Sequence, residues 1–448
     1  MGDIVLSQVT EQAPLVATGS KVDEKVGSKV HQSEWWQTMM LLVGEVMGTG
    51  VLSLPFACAK LGWPMGLASL ILFAGAAIYS SLLLSHIKNH FYPEALSYAD
   101  VARLTNGPAF ERFVRWVIVL SWAMLLVYFL IAAGDALALI YPKGNCFRHT
   151  SLVVAALLSP LLQIRSMHSI SYLCGPSTLA IVLAIALTLH ELLSRPVTEQ
   201  PHAPPPPASD ADFTGEMFTV YGSLASFIFA YQGQSIMLEM MCEMREPAHF
   251  GRAAFSGYIF MMFVYSATVV VSFGSLGGSV PGFLPDALVY GGVRQAVGWL
   301  LTYHIVVAFV ITAQPLHRSF HGALFPHTLD VDSWVARLHW AVVSLGYLAV
   351  CLVLSNKLPF FADMQALIGA LGGSATCFGF PAYFYLRACR LNDHPISRAD
   401  GVLCTFFVAI LTPVLTVFGT WASLRDIARS SDALSLASAS DGCAPLTW

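Results

Sequence analysis

The stretch QTMMLLVGEVMGTGVLSLPFACAKLG, residues 37–62, decides the architecture. It is long and apolar enough to cross a bilayer, because about 20 apolar residues span the hydrocarbon as a helix. Yet Gly44, Glu45, Gly48, Thr49, Gly50 and Pro55 interrupt its middle. Lipid offers backbone N–H and C=O groups no partner, so irregular backbone persists at that depth only when buried in protein or lining a polar cavity. Two readings fit this stretch alone. One is a broken helix whose exposed backbone groups hold a substrate or ion. The other is close helix packing through small residues.

The composition fits a membrane setting. Of 448 residues, 56% are apolar and 11% charged. Soluble domains carry about 25% charged residues, so the deficit points to an all-α polytopic membrane protein. A net charge of −4 gives no basis for nucleic-acid binding. The nine cysteines form no C-x-x-C pair and mostly lie within apolar runs, which suits buried thiols and no metal site. Cys146 and Cys443 alone fall in non-membrane segments, on the same predicted outer side, which leaves a disulfide between them open.

Residues 1–34 are polar, lack an apolar core of the signal-peptide kind and read as a disordered cytoplasmic tail. The apolar runs that follow predict eleven spans, near 37–60, 63–87, 114–141, 150–164, 169–193, 217–243, 253–277, 294–316, 333–355, 361–387 and 401–424. Pro160 bends or ends the short fourth. Between the second and third spans, Ser97-Tyr98-Ala99-Asp100 and Asn106-Gly107-Pro108 predict a short interfacial helix and a turn. The segment Arg195–Asp212, with four consecutive prolines, reads as an extended polyproline spacer. Residues 426–448 form a C-terminal tail.

Basic residues set the orientation. With the N-terminus cytoplasmic, fifteen of the 23 lysines and arginines fall inside and eight outside. Eleven spans then put the C-terminus on the opposite side.

A second interruption answers the question the first leaves open. In FTVYGSLASFIFAYQGQSIMLEMMCE, residues 218–243, Tyr231, Gln232, Gly233 and Gln234 break an apolar run five spans after the first break. Two such segments at corresponding positions of two halves point to a transporter site at the bilayer midplane. Half-helix N-termini present N–H groups to a carboxylate, while unwound carbonyls suit an ammonium group or a coupling ion. A zwitterionic amino acid matches both.

Three segments carry a resemblance: GEVMGTGVLSLPFACAKLGW (44–63), FIFAYQGQSIMLEM (227–240) and PFFADMQALIGALGGSATCFGFPAYFY (359–385). Together they resemble the amino acid/auxin permease family, in the family's order and over most of 35–425. The resemblance implies a leucine-transporter-like fold with two inverted five-helix repeats, about 37–193 and 217–387, plus a further helix at about 401–424. It implies secondary amino acid transport by alternating access, without an enzymatic step. His304, eleven residues before Pro315, resembles the eighth-helix histidine of plant proton-coupled members. Sodium-coupled animal members carry an asparagine in the first broken helix, whereas this chain has Gly44, Glu45 and Val46 there. That departure favours protons as the coupling ion. Sodium coupling, and an amino acid sensor on the same scaffold, are the alternatives.

Among single residues, Glu45 stands out, since an ionised carboxylate at a helix centre in the bilayer costs about 2.5–3.5 kcal/mol. Glu45 is therefore a proton-coupling candidate, with His304 the second through a relay to a carboxylate. Gly48, Thr49 and Gly50 are candidates for the substrate carboxylate. Tyr231, Gln232 and Gly233 face them across the repeat interface, with Tyr231 bounding the side-chain pocket. Glu239 is a gate or structural acid, Glu243 a surface group, and Asp135 an outer helix-end acid. The expected partners are a small amino acid and the lipid bilayer. No cofactor or metal is implied, and no oligomeric state. The membrane is the plasma membrane or an endomembrane of vacuolar type. H-E-x-x-H and G-x-S-x-G are both absent, so no motif supports a membrane enzyme.

Overall fold

The computed structural model describes residues 33–142, 147–165, 173–194, 213–329, 331, 333–358 and 360–438. Most of the predicted N-terminal tail, the polyproline spacer and both Cys146 and Cys443 lie outside the described residues. Within them the chain is helical, and an isolated bridge between Ser33 and Met244 takes the place of any sheet.

Helix α1, Trp35–Val46, starts on a reciprocal cap in which the Glu34 backbone N–H donates to Gln37 Oε1 at 2.9 Å. After a tight turn of helix over Thr49–Ser53 the chain continues as α2, Leu54–Leu61. The two pieces are bent by 49° at the break. Gly62, at φ 79°, then reverses the chain into α3, Trp63–His86. Only glycine adopts that backbone without strain, and Pro64 fits the first turn of α3, where no N–H is needed.

The same device recurs one hairpin later. Helix α4, Tyr98–Asn106, opens with a capping box: the Asp100 N–H donates to Ser97 Oγ at 3.2 Å and the Ser97 N–H to Asp100 Oδ2 at 2.9 Å. Gly107 at φ 84° ends it, and Pro108 begins α5, Pro108–Ala138. The predicted short helix and turn are both present. Helix α5 starts six residues earlier than the apolar run at 114, because its charged first turn is held by Glu111–Arg115 at 2.8 Å.

Next come α6, Phe147–Leu161, and α7, Cys174–Ser194. Helix α8, Phe213–Tyr231, and α9, Met237–Glu243, form the second interrupted pair, joined through a tight turn at Gln234–Ile236. Helices α10, Phe250–Leu276, α11, Gly292–Leu324, and α12, Trp334–Lys357, follow. Helix α11 runs on past Pro315, where the sequence suggested an end near 316. Helix α13, Phe361–Ile368, passes through two wide turns, Gly369–Gly373 and Ala375–Gly379, into α14, Phe380–Leu391. Helices α15, Arg398–Phe406, α16, Thr412–Val414, and α17, Thr420–Ser438, continue one another through wide turns flanking Pro413.

Among the described residues, eight helices are long and apolar enough to cross a membrane, or nine if the bent α1–α2 pair counts as one span; Phe147–Leu161 is a shorter apolar helix. Their packing is unequal. In the most apolar stretch of the α13–α14 span 83% of residues are buried, against 17% in that of the α15–α17 span. The former is thus central and the latter turned outward.

Candidate functional site

The two interruptions meet. A Cβ placed on Gly233 would collide with Val46, and one on Gly50 would come within 3.2 Å of both the Ala230 Cα and the Phe229 ring. The absence of a side chain thus lets Gly50 approach the Ala230 backbone and leaves room for the Val46 side chain at Gly233. Of Gly48, Thr49 and Gly50, it is Gly50 that meets the second interrupted helix, at Phe229 and Ala230, whereas Gly48 lies toward His304 of α11 and Thr49 beside Tyr128 of α5.

The breaks differ in how their polar groups are satisfied. At the second, the Tyr265 hydroxyl donates to the Ala230 carbonyl at 3.0 Å and the Tyr258 hydroxyl to the Tyr231 carbonyl at 3.1 Å. Gln234 Oε1 accepts from the Gly233 N–H at 2.9 Å while its Nε2 donates to the Tyr258 hydroxyl at 3.2 Å. The Tyr231 ring is fully buried and packs on Tyr258 and Tyr265 of α10, with its own hydroxyl unpartnered among the described residues. Gln232 is half-buried, and a Cβ on Gly373 would lie 2.7 Å from its Oε1.

At the first break the Thr49 hydroxyl is buried with the Tyr128 phenol as its polar neighbour, and it makes no hydrogen bond of normal geometry among the described residues. A buried polar group left unpaired costs about 1–3 kcal/mol, so this hydroxyl suits a ligand group that would complete it. The first amides of a helical turn lack intrahelical partners, and those of Thr49 and Gly50 open the turn at Thr49–Ser53.

His304 on α11 is 4% exposed, and its Nε2 lies 3.8 Å from where a Cβ on Gly48 would stand. Its Nδ1 is 3.0 Å from the Ser177 carbonyl and 2.9 Å from Ser177 Oγ. Donation of Nδ1–H to that carbonyl assigns the tautomer and leaves Nε2 facing the break. The expected carboxylate partner is thus a serine. Glu45 lies one turn before Gly48, exposed, with Cys174 of α7 as its electrostatic neighbour. No hydrogen bond or ion pair falls to its carboxylate among the described residues. Glu45 and His304 both border α7, one at Cys174 and the other at Ser177.

Glu239 is 8% exposed and lies beside the Tyr98 N–H that begins α4; its Oε2 has no partner among the described residues. Glu243 is exposed. Beyond it the chain ends of both interrupted helices are tied: Ser33 N–H donates to the Glu243 carbonyl at 3.2 Å, the Arg245 N–H to the Ser33 carbonyl at 3.1 Å, and Arg245 pairs with Glu34 at 3.3 Å. At the other end, Asp135 is half-buried with Asp286 as its charged neighbour. Asp286, in the 277–291 connection, lies 3.8 Å from Arg294. Burial pushes its carboxyl up to about 6, with Arg294 pulling the other way.

Sequence reasoning passed over Gln365, Ser177, Tyr258 and Tyr265. Gln365 is fully buried and reaches the first break at Gly50 and, at Ser226, the helix that leads to the second. Its signal was a lone amide in an apolar run, since a polar group at membrane depth must find partners. Tyr258 and Tyr265, seven residues apart, share one face of α10.

Similar chains include two from Arabidopsis thaliana, "Amino acid transporter AVT3A" (24% identical, covering 86% of this chain and 88% of that one) and "Amino acid transporter AVT3B" (25%, covering 93% and 97%). Another is the "N amino acid transport system protein" of Neurospora crassa (23%, covering 89% and 86%). Residues 31–425 match the family described as "Transmembrane amino acid transporter protein". The chain is a multi-pass membrane protein of the transmembrane amino acid transporter family, and not an enzyme.

Proposed function

We propose that the chain carries amino acids across a membrane by proton-coupled symport, alternating access about the two interrupted helices. The observation that carries this reading is the contact between the breaks, with the Thr49 hydroxyl buried beside it and, among the described residues, in no hydrogen bond of normal geometry. The free amides of the first break and Thr49 Oγ1 take the substrate carboxylate. The half-buried Gln232 faces the ammonium end. Eleven spans in two inverted repeats belong to the same proposal. The nine apolar spans, the short α6 and the interrupted α8–α9 pair supply elements for it.

Glu45 is the coupling acid of this reading, an unpaired carboxylate on the half-helix that ends at the break. His304 is the second proton-accepting group, held by Ser177 with Nε2 toward Gly48. Glu239 acts as a gate or structural acid on α9. The tie between Ser33, Glu34, Glu243 and Arg245 closes the cytoplasmic side, because both half-helices must part there for release.

The test is uptake into sealed proteoliposomes of a mixture of labelled amino acids under an imposed proton gradient, then a sodium gradient. Wild type should concentrate substrate with protons alone, and Glu45→Gln should bind it without concentrating it. Proton-driven uptake that survives in Glu45→Gln would move the coupling to His304. Sodium-driven uptake would sink proton symport. Binding without turnover would make the protein a sensor.

A further inference from the structure

Gln365 joins three elements that a transport cycle has to keep in register. It is fully buried on α13. Its Nε2 donates to the Gly50 carbonyl at 3.2 Å, inside the first break, and to the Ser226 carbonyl of α8 at 3.4 Å. Its Oε1 accepts from the Tyr128 hydroxyl of α5 at 3.1 Å. Carbonyls only accept, so they fix which end of the amide is nitrogen, and the phenol supplies the proton for the oxygen.

We propose that Gln365 is the positioning residue that holds the first break in its ligand-ready shape and ties it to the second interrupted helix. Tyr128, on one side of the amide, borders Thr49; Gly50, on the other, is the next residue in the chain. The amide therefore braces both flanks of the free hydroxyl without needing to touch substrate. The packing of α13 makes the reach possible. Cβ atoms on Gly369 and Gly372 would strike the Ala225 carbonyl and Ser121 Oγ respectively, so the wide turn Gly369–Gly373 lies at backbone distance from α8 and α5. Wide turns of this kind inside helices cluster at functional sites. The Ser226 carbonyl also belongs to a regular helix, so its bond to Gln365 anchors the unwound Gly50 to a rigid neighbour.

The consequence for transport rests on the transporter reading, whereas the geometry does not. The test is therefore read without substrate: hydrogen exchange of the full-length protein in lipid nanodiscs, wild type against Gln365→Leu and Gln365→Glu at pH 6. Leucine fills the space and makes no hydrogen bond. A buried glutamic acid that carries its proton keeps one donor for Gly50 and one acceptor for Tyr128. Gln365→Leu should exchange about tenfold faster over 48–53 with α5 and α11 unchanged, while Gln365→Glu stays within about twofold of wild type. Exchange over 48–53 unaltered in Gln365→Leu would overturn the proposal. So would a rise of equal size across α5 and α11, which would make Gln365 a general structural residue. Failure of wild-type uptake would remove the transport reading and leave this result standing.

Discussion

The first and second breaks occupy corresponding places in the chain and are held in different ways. Around Tyr231–Gln234, hydroxyls from α10 and the Gln234 amide satisfy the open backbone groups, and the Tyr231 ring is locked between two further tyrosines. Around Gly48–Ser53 the Gln365 amide reaches the chain from another helix, and the Thr49 hydroxyl, beside Tyr128, makes no hydrogen bond of normal geometry among the described residues. A fully satisfied polar network rigidifies, whereas an unpaired buried group costs free energy until something completes it. In the proposed mechanism the second break, whose Ala230 and Tyr231 carbonyls are both satisfied, is the more firmly held side, and the first supplies the seat for the substrate carboxylate.

The contact between the breaks gives the harshest way to disturb that division. Gly50→Val adds side-chain atoms where Ala230 and Phe229 already stand at 3.2 Å. The breaks must then separate, and a displacement of about 1 Å at a working site costs about a hundredfold in rate. Uptake should fall by about that factor with the protein still folded by size-exclusion chromatography. Wild-type rates in Gly50→Val would show that the contact is not maintained in the working protein.

A milder substitution sharpens the contrast from the scaffold side. Tyr265→Phe removes only the hydroxyl that donates to the Ala230 carbonyl. It should lower stability by about 1–2 kcal/mol, read as a lower midpoint of thermal unfolding in detergent, because a buried acceptor loses its donor. The apparent KM for uptake should change by less than about twofold, since no ligand group is involved. A large rise in KM without loss of stability would place Tyr265 in the receiving surface instead.

How far the sequence was legible follows from what each residue had to reveal. The breaks were readable because glycine and charge are conspicuous inside apolar runs, and the turn at Gly107 because a following proline marks the next helix. Their partners were not readable. Which tyrosine reaches which carbonyl depends on how α8 and α10 pack, and periodicity within one helix carries no information on that. Gln365 looked like one polar residue in a mostly apolar segment, and only the approach of α13 to α8 and α5 gives it three partners. His304 was recognisable as a titratable group on an apolar helix, while its partner Ser177 lies 127 residues away in the chain.

The most direct test of the division between receiving surface and scaffold is a paired measurement of uptake kinetics in proteoliposomes for Thr49→Val and Tyr231→Phe. Each variant deletes one buried, unpartnered hydroxyl with little change of shape, one from each break. If Thr49 Oγ1 bonds the substrate carboxylate, Thr49→Val should raise KM about tenfold, and Tyr231→Phe should leave it within about twofold. A wild-type KM in Thr49→Val, or the larger rise in Tyr231→Phe, would contradict the assignment of the first break as the substrate's seat.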